Sequence, residues 1–66
     1  MTAQQMIESN NAKIEAKRLE LIEAIKQIGK ATTLPEFRQI NLVVANIQND
    51  MAKLFNENEL INQLNS

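Results

Sequence analysis

Four carboxylates in the first helical stretch of the chain, Glu8, Glu15, Glu20 and Glu23, are the nearest this sequence comes to a reactive cluster. Paired carboxylates serve as general acid and base, or hold two metal ions in a helical bundle when joined by Glu-x-x-His. The chain has no His and no Cys. That removes the di-metal pattern, the Ser/His and Cys/His nucleophile pairs and a zinc site of the usual ligands. All four glutamates fall on polar positions of a helical pattern, so the plainer reading is a solvated helix face. A single Gly leaves no glycine-rich phosphate loop. The expectation is a protein that is not an enzyme, with no catalytic residue, no metal, no cofactor and no small-molecule substrate.

Two further polar groups are of interest for where they fall. Asn10 and Asn58 both occupy positions on apolar helical stripes. In an antiparallel pair of helices, facing residue numbers here sum to roughly 62 to 68, which brings the two amides near one level. Hydrogen-bonded across that layer, they would fix register at some cost in stability. The simpler reading has both ends frayed and both amides wet. The cations Lys13, Lys17, Arg18, Lys26 and Lys30 spread around the first helix with glutamates between them. A nucleic-acid surface gathers cations on one face, and RNA recognition adds aromatic or arginine stacking planes. Both Phe lie in the second helix near its stripe, so a solvated face is again the plainer account.

Sixty-six residues make at most one small domain, read as residues 1–66. Without Cys, no disulfide staples it. A core of Ile, Leu, Val, Met and Ala must supply the stability, and for so short a chain burial roughly cancels ordering entropy. Self-association or a partner chain is expected. The net charge of −1 gives no overall pull toward nucleic acid or an anionic membrane. The N-terminal stretch lacks the apolar segment of a signal peptide, and Leu42-Val43-Val44-Ala45 is far too short to span a bilayer. A cytoplasmic protein with no membrane role is expected. Met1, Met6 and Met51 read as a start residue and core fillers.

The elements follow from spacing. Phe37, Ile40, Val44, Ile47, Met51, Leu54, Asn58 and Ile61 keep a strict three-four rhythm, a heptad seam on one helix. In the first helix Ile7, Ile14, Leu21 and Ile28 recur every seven residues, and Ala3, Asn10, Lys17, Ala24 and Ala31 fill the alternate position. Ile25 sits beside this seam. Ile22 and Leu19 widen it sideways, with Ala12 and Ala16 beyond, as suits a helix touching two neighbours. The pairs Glu15–Arg18, Lys17–Glu20 and Glu23–Lys26 are spaced to bond along the helix.

Thr2 with Gln5 reads as a capping box. Gly29 reads as a left-handed C-terminal residue. Thr33-Leu34-Pro35-Glu36 is a helix start: a hydroxyl cap, Pro where its missing N–H costs nothing, and Glu36 reaching back. Helix 1 is expected over about 3–29, a turn over 30–33, and helix 2 over about 34–63. The alternative is a break near residues 56–59 and a short third helix. Leu60 and Leu64 fall off the main stripe, there to close the end of a bundle or to dock elsewhere.

The expected fold is thus all-α, an antiparallel two-helix hairpin that dimerises into a four-helix bundle. The layout resembles Rop-type RNA regulators, short helical hairpins that dimerise into such a bundle. It is also similar to the small hairpin co-chaperones of type III secretion, which wrap an aggregation-prone subunit. The likeness is one of length and architecture and carries over no functional residue. The expected function is a non-catalytic protein–protein interaction module, an adaptor, co-chaperone or regulatory subunit. The alternative is a small nucleic-acid-binding regulator with a Rop-like bundle. Ile14, Leu21, Ile22, Ile25, Phe37, Ile40, Val44, Ile47, Met51, Leu54 and Ile61 are the expected interface. The partner is a second copy of the chain or another helical protein.

Overall fold

The computed structural model describes residues 1–65. Helix α1 runs Ala3–Ile28 and helix α2 runs Leu34–Leu64. They pack against each other as a hairpin, and among the described residues there is no strand. The molecule measures 49 × 15 × 14 Å. A 31-residue helix at about 1.5 Å per residue accounts for the long axis. The cross-section is that of two helices side by side.

The ends of the helices are set by local chemistry. Thr2 accepts a hydrogen bond from the Gln5 N–H at 3.1 Å. Gln5 Oε1 in turn accepts from the Thr2 N–H at 2.9 Å, closing the capping box. Thr33 Oγ1 accepts from the Glu36 N–H at 3.3 Å, and Pro35 lies in the first turn, where an N–H would have no helical partner. Glu36 reaches back one residue further than a capping box requires. Its Oε2 accepts from the Thr32 N–H at 3.1 Å and tethers the end of the connection.

The exit from α1 differs from the expectation. Gly29 is not left-handed: it sits at φ −66°, ψ −15°, and no residue among those described has positive φ. The last turn instead tightens. Lys30 N–H donates to Gln27 O at 3.0 Å and Ala31 N–H to Ile28 O at 3.2 Å. These short-range bonds use up the terminal carbonyls that a left-handed glycine would otherwise satisfy. At the other end α2 passes through residues 56–59 without a break, so there is no third helix among the described residues. Asn65 ends it, donating from Nδ2 to Ile61 O at 2.8 Å.

The core is a single seam. Ile14 and Ala24 from α1 and Ile47 and Ile61 from α2 are buried. Ile7, Leu21, Ile28, Ile40, Val44, Met51 and Leu54 along the same line are half-buried. No side chain among the described residues is sealed off completely. Two helices can shield only the inner stripe of each, and most side chains on it only in part.

Candidate interaction face

The register of the hairpin is written in its polar layer. Asn10 is 4 % exposed, the one buried polar residue among those described. Its Nδ2 donates to Asn58 Oδ1 at 3.0 Å and to Glu57 Oε1 at 3.2 Å. Asn58 Nδ2 donates to Asn11 Oδ1 at 2.9 Å. Of the two readings of these amides, the structure has the register layer: both lie within the helices and bond to each other. With Asn10 opposite Asn58, facing residues sum to about 68 along the seam. That register sets Ile14 at the level of Leu54, Leu21 at Ile47, Ala24 at Val44 and Ile28 at Ile40.

A second polar intrusion, Lys17, falls at the level of Met51. Its stem lies along the seam while its Nζ leaves sideways to Glu20 at 3.3 Å and Asp50 at 3.5 Å. The bond to Glu20, with that carboxylate's charge and a smaller contribution from Asp50, raises the Lys17 pKa. On the outer face Arg18 and Glu15 make a two-pronged pair at 2.6 and 3.0 Å. The Arg18 bond holds the Glu15 carboxyl below the ordinary carboxylate value. Among the described residues the Glu23–Lys26 pair does not close. Two of the four cations of α1, Lys17 and Arg18, are thus already engaged with carboxylates.

The expected interface residues divide into two groups. Ile14, Leu21, Ile40, Val44, Ile47, Met51, Leu54 and Ile61 line the seam inside the hairpin. Ile22 and Ile25 point outward and are exposed. Phe37 continues the seam in sequence but is 40 % exposed. The register explains it: the level opposite Phe37 is Ala31, beyond the end of α1 at Ile28. Leu19, Leu34, Leu42, Val43, Phe55, Leu60 and Leu64 are exposed as well. Sequence reading missed Asn11, Glu57 and Asp50, each of which bonds across to the other helix. Their polar character alone could not reveal this; the Asn10–Asn58 register, once fixed, does.

Among the described residues no group of three His, Cys, Asp or Glu side chains converges to hold a metal ion. Among the same residues no helix is long and apolar enough to cross a membrane. A shallow groove of about 560 Å³ at the turn end is walled by Ala31, Pro35 and Ile40, and a second of about 420 Å³ by Ala24, Val43 and Ile47. Both are open troughs beside the seam, without a convergent set of reactive groups. The chain matches no protein-family model, no curated protein and no solved structure.

Proposed function

We propose that the protein is a non-catalytic interaction module whose working state is two hairpins joined as a four-helix bundle. The observation that carries this reading is the surface the hairpin leaves in water. Its accessible area is 5008 Å². A compact protein of 7.5 kDa exposes about 4,250 Å². Against a fully unfolded chain of that mass, the hairpin hides about 54 % of its surface, where a domain of this length ordinarily hides about 60 %. Leu19, Ile22, Ile25, Phe37, Leu42 and Phe55 are all exposed and add apolar area to that surface.

Pairing removes the deficit. A compact dimer of about 15 kDa exposes about 7,000 Å², so joining two hairpins would hide about 3,000 Å² in total. That lies in the range of obligate homodimers. Adaptor, regulatory and co-chaperone roles all follow from such an object, since each uses a helical face to hold another chain. Sedimentation equilibrium at micromolar concentration tests the reading. A mass of two chains is expected, and a stably folded single chain at every concentration would refute it.

A further inference from the structure

Resting on that reading, we infer that the second copy docks through α2, antiparallel to its own α2, with Gln48 on the two-fold axis. Beside the seam, α2 carries a second three-four series: Arg38, Asn41, Ala45, Gln48, Ala52, Phe55 and Glu59, every one exposed. On a helical wheel this series lies about a quarter-turn from the seam, where a square bundle needs its second contact. The stretch from Asn41 to Phe55 on this face bears no formal charge. Ala45 and Ala52 leave room for close approach of a helix. Ile22 and Ile25 of α1 flank the same side.

The ends of the face carry the argument, because they are complementary in charge when the face meets itself. Turned about Gln48, Arg38 meets Glu59 of the second copy, and Glu59 meets its Arg38. Ala45 meets Ala52 in the same operation. Within the hairpin neither Arg38 nor Glu59 has an ion-pair partner among the described residues. The competing arrangement sets α1 of one copy on α2 of the other. There the register brings Glu8 against Glu59, two like charges, and leaves Arg38 opposite Gly29. Charge thus selects α2-on-α2, and the contact is isologous, as a closed dimer requires.

The absence of native Cys makes the test direct. Gln48→Cys should be linked chain to chain by a short bis-maleimide, and a mixture of Ile22→Cys and Ala45→Cys chains should not. Arg38→Glu should raise the dissociation constant roughly tenfold at low salt, two exposed pairs turning from attraction to repulsion. Adding Glu59→Arg to it should restore the original value. A dimer in which Gln48→Cys fails to link while the Ile22→Cys and Ala45→Cys mixture does would overturn this face and leave the bundle standing. Charge reversal without effect would also overturn it. A chain that stays single at all concentrations would remove the bundle and this face together.

Discussion

Asn10 donates its side-chain amide to Asn58 Oδ1 across the hairpin at 3.0 Å, from a position where all but 4 % of its surface is hidden. A buried amide is costly unless every proton finds an acceptor. Here Asn58 and Glu57 supply them, and no buried side-chain polar atom among the described residues is left unpaired. A shift of one helix past the other would strand Asn10 among apolar side chains. The layer therefore selects one register over its neighbours.

Replacing that amide tests the layer. Asn10→Asp takes away the donor and sets a carboxylate beside Glu57. It should cost about 1–3 kcal/mol in a urea titration. The double change Asn10→Leu with Asn58→Leu should be at least as stable as the natural chain, since both partners leave together. A neutral Asn10→Asp would mean the layer is wet.

Gly29 offers a gain. Its φ of −66° suits any residue, and an added Cβ would meet only Lys26 O, at an ordinary 3.5 Å. Gly29→Ala should stabilise by about 0.4–1 kcal/mol, mainly by narrowing the unfolded ensemble. A loss of stability would show that the working state needs a left-handed residue there.

Ile47 lies mid-seam, 7 % exposed, at the level of Leu21. Ile47→Asp sets a charge in the apolar seam beside Ala24 and Val43, and the helical circular-dichroism signal should collapse. An unchanged signal and mass would mean the seam is assigned to the wrong face.

The response to pH follows from the outer ion pairs. Glu15 titrates lower in the folded chain than its ordinary 4.5, so its contribution is present above that value and fades as pH falls through the lower one. Lys17 titrates above 10.5, so its contribution is complete below that value and fades as pH rises past it. With no His to titrate, the thermal midpoint should be flat from about pH 6 to 9 and decline at either extreme. Both declines should shrink in high salt, because Glu15 is exposed and Lys17, itself half-buried, pairs with the exposed Glu20. A sharp change near neutrality would contradict this.

Much of the hairpin was legible in the residues themselves. The spacing from Ile40 to Ile61 defines one face of α2, and Thr33-Leu34-Pro35-Glu36 marks its start, because a heptad and a cap are local patterns. What depended on the opposite helix was harder to read. Phe37 keeps the rhythm yet lacks a neighbour, since α1 has already ended at Ile28. Gly29 was misread because the choice between a left-handed exit and a tightened turn is made by the residues after it. Asn10 and Asn58 were visible as oddities on the stripe, but only the fixed register shows whether two such oddities meet. Ile22 and Ile25 stand outside the hairpin seam, where a second hairpin is proposed to cover them.

The most direct measurement is thermal unfolding followed over a range of protein concentrations. If the lone hairpin is incomplete and pairing supplies the missing burial, folding and assembly are one transition. The midpoint should then rise by about 5 °C for each tenfold increase in concentration, from the entropy of unfolding two such chains together. A cooperative midpoint that stays fixed across a hundredfold range would show that one hairpin is sufficient by itself.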